Sequence, residues 1–205
     1  PVDEVTDEAG SDPAHRASGE KLSRIIAKMS KSLRNVVTPD EVIAEFGADT
    51  LRTYLMFMGP LDSSRIWDTK AIVGCHRFLK RSWAFVTENK DAGVRSFVAE
   101  AEEGDDVRRA AHRLTKKVTE DFEGLQFNTV VSSMMEFLNE VSSKPVSKET
   151  AERFTLLLNP LAPHLAEELW SRLGHAESLV REPWPVFNPA YLEAATVSVV
   201  VQVSG

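Results

Sequence analysis

Apolar residues recur at three- and four-residue steps through most of the chain, the rhythm of helices with one buried face. Ile72, Leu79, Trp83 and Val86, with Cys75 or His76 between them, predict a helix over about 68–88. Ala110, Leu114, Val118 and Phe122 predict another over about 106–122. Val130, Met134, Phe137, Leu138 and Val141 predict a third over about 128–141. Shorter helices are expected over about 148–158 and through "APHLAEELWSRLG", which Gly174 closes. Nearer the start, Pro39 stands where a first helical residue belongs, Glu41 occupies a capping-box position and Gly47 can end the turn. A further helix is expected from Asp49 to Met58, stopped by Gly59 and Pro60.

The intervening stretches follow other patterns. Residues 1–27 lack long apolar periodicity and read as loops or a short hairpin. Residues 91–106 are acidic, contain two glycines and read as an exposed connector. At the end, Val197, Val199, Val201 and Val203 alternate with other residues, as in a strand. The expected fold is therefore mainly α: an antiparallel helix bundle, preceded by a small loop-rich segment and followed by a stray β-strand. Three parts are expected: 1–60, 61–190, and 191–205 as the start of a further domain. Beginning at Pro1 and ending within that strand, the chain reads as a piece of a longer polypeptide.

Composition narrows the chemistry. The net charge of −7 means that the molecule as a whole repels nucleic acid, so anion binding must come from local patches. A single cysteine, Cys75, excludes an internal disulfide and a cysteine-cluster metal site, which fits a reducing, cytoplasmic setting. No apolar run approaches the ~18 residues of a membrane span. The five histidines do not pair at ligand spacing, so no metal site is expected. Glu167 and Glu168 are adjacent on a helix and point apart, which favours solvated or capping roles over a paired acid site. His164, beside Pro163, is expected to cap or pack, and the four tryptophans to pack.

One stretch breaks the bland pattern. From Lys21 to Arg34 there are five cations, Lys21, Arg24, Lys28, Lys31 and Arg34, and no carboxylate. Flexible ammonium groups suit phosphate oxygens, and Ser30 and Ser32 add hydrogen-bond donors. A loop ahead of a helix can also carry its charge onto a phosphoryl group as a lid. The plain alternative is a solvated basic turn. Two helix flanks carry further stripes: Lys70, Arg77 and Arg81 on one, Arg109, Arg113, Lys116 and Lys117 on the next. Such stripes can touch phosphates without reading sequence, or can simply be wet helix surface.

Residues 28–32 spell KMSKS, and "GADTLR", "MFMGPLDSSRIW", "RFLKRSW", "FNTVVSSMMEFLN", "LLLNPLAPHLAEELW" and "EPWPVFNP" follow in order. Together they resemble the class I aminoacyl-tRNA synthetases, and among these the bacterial-type leucyl-tRNA synthetases, from about Gly19 to Gly205. The resemblance implies an enzyme that joins leucine to tRNA(Leu) with ATP. In it the KMSKS loop embraces ATP during leucine activation: Lys31 carries the main transition-state role, Lys28 assists on phosphates, Ser30 and Ser32 shape the loop, and Met29 anchors it. Magnesium accompanies ATP, with no protein ligands for it visible in this sequence. The helical part is implied to bind tRNA(Leu) through its backbone, with no base-reading pocket. The family's HIGH signature, leucine pocket and editing domain lie upstream, and no HIGH occurs in this chain. The chain alone is accordingly expected to be inactive. Two alternatives stand beside this reading: a non-catalytic tRNA-binding module derived from a synthetase, and the same region of the methionine, isoleucine or valine enzyme.

Overall fold

A computed structural model describes residues 5–6, 13–23, 25–88 and 93–192. The chain divides into two compact units, Pro1–Glu45 and Phe46–Gly205. Residue 60, where the sequence reading puts its first boundary, lies inside the second unit.

In the first unit, β1 (Val5–Thr6) pairs antiparallel with β2 (Ala14–His15), Val5 opposite His15 and Thr6 opposite Ala14. The loop after β2 turns back through Gly19, whose φ of 71° belongs to the left-handed region that favours glycine. From Ile25 the chain runs without regular structure through the KMSKS residues into α1 (Pro39–Phe46), which begins on Pro39 as expected. Proline is suited to that place because its fixed φ is already helical and its missing N–H has no partner to lose.

The second unit is helical: α2 (Ala48–Phe57), α3 (Thr69–Val86), α4 (Asp105–Glu123), α5 (Phe127–Val141), α6 (Lys148–Leu158) and α7 (Pro163–Arg172). The helices of the predicted bundle form within two residues of their expected ends. The predicted inward residues Val130, Met134, Phe137, Leu138 and Val141 are buried, as are Ala110, Leu114 and Val118, while Phe122 is half-buried. Phe85, Phe137 and Phe154 meet at the centre, with ring centroids 5.2 to 5.9 Å apart. Burying each such side chain stabilises the fold by roughly 1.5–3 kcal/mol. Helices α2 and α3 also join this core, α2 against α5 and α3 against α5 and α7. Among the described residues no helix is long and apolar enough to cross a membrane.

Two expectations change. The stretch 91–106 is no simple exposed connector: β3 (Thr87–Glu88) pairs with β4 (Gly93–Val94), and Glu103 is buried. The Glu103 carboxylate accepts the Ser147 N–H at 2.7 Å and the Thr150 hydroxyl at 3.0 Å, so it holds the start of α6 from outside that helix. Acidic composition suggested solvent; a distant helix end supplied the donors that make burial tolerable. The predicted final strand, with Val197, Val199, Val201 and Val203, lies outside the described residues.

Candidate functional site

The KMSKS residues are held by their own polar side chains. Asn35 Oδ1 accepts the Ser30 N–H at 2.8 Å, and Asn35 Nδ2 donates to the Lys28 carbonyl at 3.4 Å. Ser30 Oγ accepts the Leu33 N–H at 3.2 Å and lies 3.1 Å from Ser32 Oγ. The turn closes with the Arg34 N–H on the Lys31 carbonyl at 3.2 Å, and Arg34 takes a φ of 51°. Both serines are thus spent on loop shape, as is Asn35, which the sequence reading did not single out. Lys28, Lys31 and Arg34 are exposed and make no ion pair with any described residue. Met29 is 40% exposed, so it is not anchored within this unit. Ile25 and Ile26, 80% and 82% exposed, flank the cations on the N-terminal side. Arg24 lies outside the described residues.

The two basic stripes differ in their partners. On α4, Arg113 binds Glu140 at 2.9 Å, Lys117 binds Asp121 at 2.7 Å, and Lys116 sits 3.6 Å from Glu120. Arg109 is half-buried. On α3, Lys70, Arg77 and Arg81 are exposed and make no ion pair among the described residues. Lys80, exposed on the adjoining row, extends that face, and α3 contains no acidic residue. The signal for Lys80 was present in its spacing, three residues after Arg77. The uncompensated positive face therefore belongs to α3, whereas α4 spends its cations on its own helix and on α5.

"GADTLR" turns out to be a structural clamp within the helical unit. The Asp49 carboxylate accepts the Leu165 N–H at 2.7 Å and lies 2.8 Å from His164 Nδ1, capping α7, which has no side-chain cap of its own. Arg52 donates to the Pro160 carbonyl at 3.0 Å, in the turn between α6 and α7. Gly47, between α1 and α2, has a φ of 86° with open space around it, so conformation and not crowding selects glycine there. Glu167 and Glu168 separate as expected. Glu167 receives the Ser178 hydroxyl and, at 3.1 Å, the Leu179 N–H; Glu168 pairs with Arg172 at 2.8 Å. The Ser178 hydrogen bond, more than any other cause, holds the Glu167 carboxyl below its usual range.

Comparisons with known proteins fit both units. Residues 26–66 match the family of class I tRNA synthetases (I, L, M and V), and residues 106–205 match the anticodon-binding domain of tRNA ligase. The class is thereby defined: this is sequence of a class I synthetase that runs from the KMSKS loop into the anticodon-binding domain. A leucine–tRNA ligase of Streptomyces coelicolor is 50% identical over 198 residues, spanning 95% of this chain and 20% of that protein. The Streptomyces griseus enzyme is 49% identical over 196 residues, with the same shares. The Treponema pallidum enzyme is 42% identical over 221 residues, spanning all of this chain and 25% of the relative. Among solved structures, the ternary complex of Agrobacterium radiobacter K84 LeuRS with tRNA and LeuAMS superposes with a TM-score of 0.69 at 29% identity. It covers 82% of this chain, which spans 23% of that one. The chain belongs to the leucine–tRNA ligase family and spans about a fifth to a quarter of the length of these relatives.

Proposed function

We propose that this chain supplies two working parts of a leucine–tRNA ligase: a phosphate-binding loop for leucine activation and a helical surface for tRNA(Leu). The observation that carries the reading is the KMSKS turn, whose serines and Asn35 are used internally while Lys28 and Lys31 stay exposed and pair with no acid among the described residues. Two mobile ammonium groups on a shaped turn suit the oxygens of a triphosphate. As pyrophosphate departs, negative charge builds on those oxygens, and positioned cations stabilise that charge more than they stabilise bound ATP. Lys31, at the first position of the turn, takes the main transition-state role and Lys28 the supporting one. Met29 anchors the loop only once ATP and the nucleotide-binding part are present.

Magnesium travels with ATP in this scheme, and the loop itself offers the cations Lys28 and Lys31 and the hydroxyls of Ser30 and Ser32. Leucine and the adenosine end of ATP bind to upstream sequence, so the chain alone does not make leucyl-adenylate. The α3 face bearing Lys70, Arg77, Lys80 and Arg81 follows the tRNA backbone. The α4 residues Arg109, Arg113, Lys116 and Lys117 play a lesser part, since their charges are largely matched at home. The setting is the cytoplasm.

The test is ATP–pyrophosphate exchange by the complete ligase. Lys31→Ala should slow exchange by about 100-fold, in the range of one lost transition-state donor, while tRNA binding stays within twofold. Undiminished exchange in the Lys28→Ala/Lys31→Ala double variant would remove the loop from the chemistry. Retained tRNA binding without any exchange, in a complete polypeptide carrying leucine and ATP, would favour the non-catalytic binding module instead.

A further inference from the structure

Beside the basic face of α3 lies a cleft of about 380 Å³ between α2, α3 and α7. Phe46, His76, Leu79, Lys80, Trp83 and His164 line it, so four of these six side chains are aromatic rings and one is a cation of the α3 face. The volume falls within the roughly 300–1,000 Å³ of sites that enclose small ligands.

The polar atoms here have assignable roles. Thr50 has one hydroxyl proton and gives it to the Phe46 carbonyl at 2.7 Å. The 3.2 Å contact between Thr50 Oγ1 and His76 Nδ1 must then be a donation from the imidazole. That leaves Nε2 as the acceptor of neutral His76, on a residue of the cleft wall. Asp49, also in the wall, has both oxygens engaged by His164 and the Leu165 N–H. Trp83 is half-buried and braced by Arg172, whose guanidinium lies 4.7 Å from the ring centroid. A fixed indole, further rings and an acceptor suit a flat heteroaromatic group with N–H edges. Lys80 suits the phosphate next to it.

We propose that this cleft receives one unstacked nucleobase of the bound tRNA, with Lys80 at its rim holding the adjoining phosphate. The inference rests on the tRNA reading above and adds to it a place where a base is gripped by stacking without its identity being read. Charge decides for RNA over a protein segment. The cleft opens beside an exposed helix face carrying four cations and no acid, which complements a phosphate backbone.

Ultraviolet crosslinking of the unmodified 205-residue chain to a tRNA(Leu) transcript, read by mass spectrometry, tests this directly. The expected product joins an unpaired nucleotide to a peptide at Phe46, His76 or Trp83. Deleting that base as an abasic site should weaken binding about tenfold in the parent chain and less than twofold in Trp83→Ala. The exposed variant Lys80→Ala, which leaves the core intact, should lower the crosslink yield at least threefold. Salt-dependent binding without a crosslink in the cleft would overturn the base site while leaving the phosphate face standing. So would an abasic penalty undiminished in Trp83→Ala. Binding without salt dependence would overturn the tRNA reading itself, and the cleft proposal with it.

Discussion

Asp49 and His164, 115 positions apart, meet at 2.8 Å, and the same carboxylate caps α7 through the Leu165 N–H. One acid at the start of α2 thus satisfies a helix end that has no cap of its own. Asp49→Ala should cost about 1–2 kcal/mol, the usual loss for an N-cap. His164→Ala should cost less, because its side chain is 77% exposed. Urea unfolding of the two variants checks the order; equal losses would show that the histidine, not the cap, matters.

Asn35 links Ser30 to Lys28 and so sets the spacing of the two lysines. Asn35→Ala in the complete ligase should slow ATP–pyrophosphate exchange about tenfold, since loosening pre-organised charges costs transition-state stabilisation. Thermal unfolding of the helical unit should be unchanged.

The α3 and α4 stripes should separate in salt titrations. Lys70→Ala, Arg77→Ala and Arg81→Ala should each weaken tRNA binding and lower the slope of log K against log salt by up to about 0.9. Lys116→Ala and Lys117→Ala should change it little, because Glu120 and Asp121 already pair with them. Equal slopes for both sets would assign the tRNA path to both helices.

His112 is buried on α4, stacked on Tyr191 at 4.6 Å, and its Nδ1 accepts the Asn188 N–H at 3.1 Å. Burial pushes its pKa down from 6.5; Arg153 and Arg108 push the same way, against Glu149 and Glu103. The unfolded chain therefore takes the proton first. The stabilising contribution is whole above about pH 6.5 and is lost as pH falls through the lower folded value. Urea unfolding should show stability declining from pH 7 to 5, and the decline should be shallower in His112→Gln.

Glu103→Ala should be more costly than a surface change. It leaves the Ser147 N–H and the Thr150 hydroxyl buried without their acceptor, a loss on the order of 3 kcal/mol. Chemical denaturation should show the full loss. Glu102→Ala, one residue earlier and exposed, should unfold within about 0.5 kcal/mol of the parent.

The helices were legible because periodicity is local: each residue on the buried stripe of α5 announces its face through neighbours three and four positions away. The KMSKS motif was equally legible, since it consists of five adjacent residues. What composition misread was Glu103, an acid in an acidic stretch whose partners stand 44 and 47 positions away.

The amino-acid order alone determined the helix boundaries, the buried stripes and the KMSKS motif, all of which depend on residues within a few positions of each other. Only the tertiary structure decided that Arg113 is matched by Glu140, because that partner comes from the helix packed beside it, whereas Lys116 and Lys117 pair one turn along α4 itself. It also decided that Asp49 caps α7 and that Phe46, His76, Trp83 and His164 wall one cleft. Those residues come from α1, α2, α3 and α7, and only packing brings these helices together.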